Sequence, residues 1–187
     1  MSLTYTPAGQ MGSALPDFSL PSVDGKIFSR QDFAPAQILV FLFICNHCPY
    51  VQAIEDRIIR LAREFIPQGV AFVGICSNDA QEYPEDSPAE LLRRWRDKDY
   101  GFPYLIDESQ QVAKAFGAVC TPDIFVFDQT RRLSYRGRLD DSWKNEKLVK
   151  RHELQEALQA LLAGNSINSQ QNPSMGCSIK WKKDDSK

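Results

Sequence analysis

The run Ile38-Leu39-Val40-Phe41-Leu42-Phe43-Ile44 sets seven apolar residues in succession and ends directly at Cys45. It is too short for a buried helix and reads as a central β-strand covered on both faces. Whatever the chain folds into must enclose that strand and deliver Cys45 from its end. Beyond it Val51, Ile54, Ile58, Leu61, Ala62 and Phe65 recur at three- and four-residue spacing, one apolar stripe on a helix that ends before Pro67 and Gly69. A second buried strand follows from Val70 to Cys76. The tetrad Cys45-Asn46-His47-Cys48 therefore sits where a buried strand hands over to a helix.

The remaining pattern completes an α/β chain. Residues 1–16 hold Pro7, Gly9, Gly12 and Pro16 without an apolar period and read as an arm, laid over the body or frayed from it. Phe18 and Leu20, then Asp24-Gly25, then Ile27 and Phe28 predict an N-terminal β-hairpin. Ser87-Pro88-Ala89-Glu90 predicts a helix from Pro88 to about Asp97, with the Ser87 hydroxyl as cap. A strand at Tyr104–Ile106, a short helix ended by Gly117, and an antiparallel pair at 124–127 and 133–136 follow. Leu154, Leu158, Leu161 and Leu162 make a last amphipathic helix, stopped by Gly164. The order predicts a mixed central sheet flanked by helices. At 187 residues, 43% of them apolar, one domain is expected over 1–187, with a core at about 17–164 and a polar C-terminal tail at 165–187.

A formal net charge of −2 leaves no basic surface for phosphate backbones or anionic lipid, so neither nucleic acid nor membrane is an expected partner. Met1 to Leu20 lack a cationic segment followed by an apolar one, and no stretch approaches the ~18 apolar residues of a span, so a cytoplasmic location is expected. Five cysteines are too few for a disulfide-scaffolded secreted domain of this size.

A Cys-x-x-Cys pair that leaves a buried strand and opens a helix has a chemical logic. The first sulfur meets unpaired amide N–H groups and the positive end of the helix dipole, which favour thiolate, so Cys45 is the expected nucleophile. Cys48, a turn further on, is placed to attack the resulting mixed disulfide. His47 between them, if protonated, stabilises the thiolate and makes the pair more oxidising than one with proline there; the alternative is a solvated histidine without a role. Zinc would need further ligands, yet there is no second Cys-x-x-Cys and His152 is far along the chain, so no metal and no cofactor are expected.

Several stretches resemble a known family. The strand entering Cys45-x-x-Cys48, together with Val119-Cys120-Thr121-Pro122-Asp123-Ile124-Phe125-Val126-Phe127-Asp128, resembles the thioredoxin superfamily. Cys45–Tyr50, Asn78-Asp79, Tyr83–Ser87, Phe102–Asp107, Gly137–Ser142 and Gly176-Cys177-Ser178-Ile179-Lys180-Trp181 are similar to the thioredoxin-like proteins of the AhpC/TSA redoxin family. The resemblance implies a thioredoxin-like fold, thiol–disulfide oxidoreductase activity and a cis-proline at Pro122 facing the redox cysteines, with Thr121, Pro122 and Cys120 beside the substrate. Two positions depart from the pattern. Leu39 stands where thioredoxin has a buried aspartate, and Leu42 where peroxiredoxins have a threonine.

Cys76 closes an apolar strand and reads as a small buried hydrophobe. Cys120 divides between packing and a redox or substrate-contact role. Cys177 lies in the tail beside Ile179 and Trp181, whose apolar area can anchor the tail on the body; so anchored, Cys177 becomes a candidate third redox thiol. Asp79, Glu82, Glu85, Asp86, Asp140 and Asp141 read as solvated loop charges serving turns. The expected partners are a protein or small-molecule disulfide and a reductant or oxidant that recycles the pair. The alternatives are a thiol-dependent peroxide reductase and a non-catalytic metal-binding or chaperone module.

Overall fold

A computed structural model describes residues 3–168 and 170–183. In chain order the elements are β1 (Leu3–Tyr5), β2 (Ser19–Pro21), β3 (Ile27–Ser29), β4 (Ile38–Phe43), α1 (Pro49–Phe65), β5 (Val70–Cys76) and α2 (Pro88–Asp97). They continue as β6 (Tyr104–Ile106), α3 (Gln111–Phe116), β7 (Cys120–Thr121), β8 (Asp123–Phe127), β9 (Leu133–Arg136), α4 (Glu153–Leu162) and β10 (Met175–Ser178).

The apolar run is the middle strand of a five-stranded sheet of order β6-β5-β4-β8-β9. β6, β5 and β4 run parallel, while β8 and β9 are antiparallel, so the sheet is mixed. The side chains of β4 alternate between two cores, as a period of two requires. Val40 and Leu42 join the cluster under α1, α2 and α4, whereas Leu39, Phe41 and Phe43 join a cluster with Phe116, Phe125 and Phe127 on the opposite face. Burial on both faces is why this strand carries no polar residue. Among the described residues no helix is long and apolar enough to cross a membrane.

The boundaries of β5, α2, β6 and β9 and the hairpin β2–β3 follow the sequence pattern. Ser87 does stand at the N-cap of α2, but its hydroxyl makes no capping bond. The two ends of the chain lie on the body, as the arm and the anchored tail allowed, but they do so as paired strands. The arm contributes β1 and the polar tail contributes β10, which lies between β1 and β7 in a second sheet, antiparallel to both. Ile179 is the apolar anchor of the tail, buried in the phenylalanine-rich cluster. Trp181 stays 38% exposed, with Lys114 Nζ 5.9 Å from its ring. The sheet order sends the C-terminal ends of β4 and β5 and the start of β8 to one edge, and the cysteine pair lies there.

Candidate active site

Cys45 and Cys48 lie between β4 and α1, and Cys48 is the N-cap of α1, ahead of Pro49 at its first position. Among the described residues no cysteine is in a disulfide. Both sulfurs contact Thr121, whose bond to Pro122 is cis. Cys45 Sγ is 3.3 Å from Thr121 Oγ1, and the Cys48 thiol donates to the Thr121 carbonyl at 3.0 Å. The Phe43–Asp123 pairing of β4 with β8 fixes this approach, because it sets the residues beyond Phe43 against those before Asp123.

Cys45 is placed differently from the expectation that the helix amides would meet its sulfur. It is only 2% exposed, against 0% for Cys48, and the backbone amides that follow it do not point at its sulfur. The Asn46 and His47 N–H groups donate to Asp86 Oδ1 at 2.8 and 3.3 Å. Asp86 Oδ2 takes His47 Nδ1 at 2.6 Å and the Asn78 side-chain amide at 2.7 Å. Burial alone would raise the Asp86 carboxyl, but hydrogen bonds from His47, Asn78 and Asn46 outweigh it and hold it below the usual carboxylate range.

The charge of the pair is distributed accordingly. Burial, the hydrogen bond to Cys48 and the nearby Asp86 carboxylate push the Cys45 thiol well up. The Cys45 thiol, against the cost of burial and with help from the Cys177 thiol and the Val51 N–H, lowers Cys48 to about 5. Within the pair, deprotonation is therefore favoured at Cys48, at the helix N-terminus, over Cys45, one turn later than the sequence suggested; the protonated form of Cys48 is the one that donates to Thr121.

His47 is not a solvated side chain. Its ring is 7% exposed, stacks on Tyr83 at 4.9 Å and 20°, and leaves a buried Nε2 without a hydrogen-bond partner. Cys45 Sγ, a His47 ring nitrogen and an Asp86 oxygen lie within 4.8 Å of one another. Asp86 already accepts four donors, so an ion drawn to this corner would find Cys45 and His47 as its available ligands.

Asp86 is 2% exposed and Asp140, which accepts from Arg57 at 2.5 Å, is 4% exposed. The solvated-loop reading is therefore corrected for both: each is buried because a distant segment brings it donors. Asn78, Tyr83 and Gln52, which donates to the Asn46 carbonyl at 2.7 Å, complete a shell that spacing did not single out. The only signal was that Asn78-Asp79 and Tyr83–Ser87 belong to the resembling stretches.

Cys76 and Cys120 are buried, and burial raises both thiols far above the ordinary value. The Cys120 thiol lies 3.6 Å from the Pro122 carbonyl oxygen. Pro122 also lines a cavity of about 170 Å3 with Tyr5, Tyr50, Ile54, Trp143 and Met175; the Tyr50 and Trp143 rings are 4.5 Å apart.

The profile of the AhpC/TSA family matches residues 11–136, a span that includes Cys45, Cys48, Asp86, Thr121 and Pro122. No curated protein matches. An uncharacterised conserved protein from Geobacillus kaustophilus is 43% identical, with 97% of each chain covered and a TM-score of 0.93. A hypothetical protein from Sinorhizobium meliloti 1021 is 41% identical over 96% of this chain and 98% of that one, with a TM-score of 0.92. A thiol:disulfide interchange protein of the thioredoxin family from Chlorobium tepidum TLS shares the fold at 19% identity, covering 83% of this chain and 99% of that one, with a TM-score of 0.64. With its paired cysteines at the edge of a mixed sheet flanked by helices, the chain belongs to the AhpC/TSA family and is a thioredoxin-like protein of thiol-based redox chemistry.

Proposed function

We propose that the protein is a thiol–disulfide oxidoreductase in which Cys45 and Cys48 exchange disulfides with a substrate docked beside Pro122. The observation that carries this reading is the convergence of both sulfurs on Thr121, 3.3 and 3.0 Å away. In the reduced pair the Cys48 thiolate takes the proton of Cys45, and the Cys45 thiolate attacks a substrate sulfur, whose partner leaves. Cys48, giving that proton to the departing substrate sulfur, then attacks Cys45 in the mixed disulfide, releasing the reduced substrate and leaving a Cys45–Cys48 disulfide. The cavity beside Pro122, with Tyr50 and Trp143 on its wall, suits an apolar side chain of the substrate. In a reducing compartment the pair works as a reductant of disulfides; a cytoplasmic location fits that direction.

Turnover of a protein disulfide such as that of insulin, with dithiothreitol as recycling thiol, tests the reading. Cys45→Ser should abolish it and Cys48→Ser should accumulate a mixed disulfide. Full activity in Cys45→Ser would sink the assignment.

One contact favours a second reading. Leu42 is fully buried and offers no hydroxyl, but Thr121 Oγ1 supplies one to Cys45 from another strand, an arrangement suited to a peroxide oxygen. Peroxide consumption that depends on Cys45, without disulfide reduction, would select that reaction instead.

A further inference from the structure

β10 brings a third thiol against the redox pair. Cys177 is the register partner of Thr121, whose carbonyl accepts from the Cys48 thiol. Cys177 is 1% exposed and shares a core cluster with Cys45 and Cys48. Its thiol and its backbone N–H both approach the Cys48 sulfur. The approach depends on Gly176, since a Cβ there would overlap the Thr121 carbonyl oxygen and lie 2.9 Å from Pro122 N. β10 is thus laid along β7, next to the proline that borders the proposed docking site, with a cysteine at the level of the redox pair.

We propose that Cys177 is a third exchange thiol, which takes Cys48 into a Cys48–Cys177 disulfide once the Cys45–Cys48 disulfide has formed. The step is an isomerisation and needs no further oxidant. The Cys177 sulfur attacks Cys48 Sγ, the Cys48–Cys177 bond forms, the Cys45–Cys48 bond breaks, and Cys45 leaves as thiolate and takes up the proton given up by Cys177. An external dithiol later reduces the Cys48–Cys177 bond. The product keeps the oxidation inside the protein while Cys45 is again a thiol, and it ties the tail strand to α1.

The charges around Cys177 follow the state of its neighbour. In the reduced protein, burial and the hydrogen bond and charge of Cys48 push its thiol up to about 12, so it stays protonated beside Cys48. When Cys48 enters a disulfide its negative charge is gone, and the charge of Lys180, which acts in the lowering direction, is no longer opposed by it. Oxidation of the pair therefore removes two of the causes that keep Cys177 protonated, burial being the one that stays.

This inference rests on the disulfide-exchange reading, and the experiment separates the two. The full-length protein is oxidised with limiting diamide, alkylated and digested with trypsin without reductant. A Cys45–Cys48 bond stays within the peptide of residues 31–57, whereas a Cys48–Cys177 bond links that peptide to the one of residues 152–180. Wild type should give both products and Cys177→Ser only the first. Cys45→Ser should give the linked peptides, with Cys48 and Cys177 both lost to alkylation. Linked peptides absent from wild type, with Cys177 alkylated as fast after oxidation as before, would overturn the relay while Cys45–Cys48 exchange stands. Linked peptides in a protein that turns over no disulfide substrate would overturn the exchange sequence in which the relay is placed.

Discussion

On the loop side of the redox pair, Asp86 gathers four donors from Asn46, His47 and Asn78, and Tyr83 covers the imidazole. On the strand side, Cys48 meets a carbonyl and another thiol, held by backbone pairing of β10 with β7. The first flank is a polar network whose members satisfy one carboxylate; the second is made of sulfur and main chain. A buried carboxylate with its donors is costly to alter, whereas a thiol beside a thiol can change partners without moving charge far. The loop side therefore sets the electrostatics of the site, and the strand side is where bonds can be exchanged. Lys180 links the two flanks, with its backbone N–H on Asn78 Oδ1 at 2.8 Å and its Nζ 5.5 Å from the Tyr83 ring.

The largest effect should come from breaking the loop side. Asp86→Ala strands four donors in a buried corner, and a loss of about 3–5 kcal/mol in urea unfolding is expected. The same network predicts an acid limb. Because the folded carboxyl lies below its unfolded value of ~3.9, the stability it contributes is present above that value and is lost as pH falls through the folded one. Wild type should lose stability over that window and Asp86→Asn should lose less; identical acid limbs would remove Asp86 from the account.

Removal of the strand side costs less. Truncation after Asn172 deletes β10 and the buried Cys177 and Ile179, and a loss of about 3 kcal/mol is expected from the apolar area exposed. A truncated protein with unchanged melting temperature would show that the tail contributes nothing to the fold. Gly176→Ala is the finer probe: overpacking against the Thr121 carbonyl should cost about 2 kcal/mol and make Cys177 faster to alkylate. Unchanged alkylation would mean that β10 does not depend on that close approach.

The smallest effect is on the potential, and its sign distinguishes Asp86 from His47. Asp86→Asn removes a negative charge near Cys45, stabilises thiolate and should raise the reduction potential. His47→Pro takes two donors from Asp86 and should lower it, each by about 30 mV, or about 1.4 kcal/mol for a two-electron couple. Glutathione-buffer titrations read both; shifts of the same sign would show that charge at this corner does not govern the couple.

The elements that were legible in the sequence are those whose evidence is local. The period of two in β4 and the three-four stripe of α1 each lie within one segment, and Gly117 and Gly164 mark helix ends by their own backbone conformation. The cysteine pair and Thr121-Pro122 were visible as motifs. Asp86 and Asp140 were not, because a loop carboxylate is buried only when donors reach it, and all but one of those named come from 39 to 83 residues away. The placement of the amides after Cys45 failed for the same reason: their acceptor is a distant side chain, not the adjacent sulfur. β10 escaped notice because its four residues, Met175-Gly176-Cys177-Ser178, show no strand pattern, and the case for the tail rested on Ile179 and Trp181 alone.

The pairing of Leu3 with Cys177 also has a consequence in time. A growing chain emerges at roughly 5–20 residues per second and folds from its N-terminal side, so the first strand must wait for nearly all the rest before it finds its neighbour. Until then β7 has an uncovered edge and Cys48 lacks the thiol that closes over it. The nascent protein would thus pass through an interval in which its redox sulfurs are already positioned but still open to small thiols and disulfides of the surrounding solution.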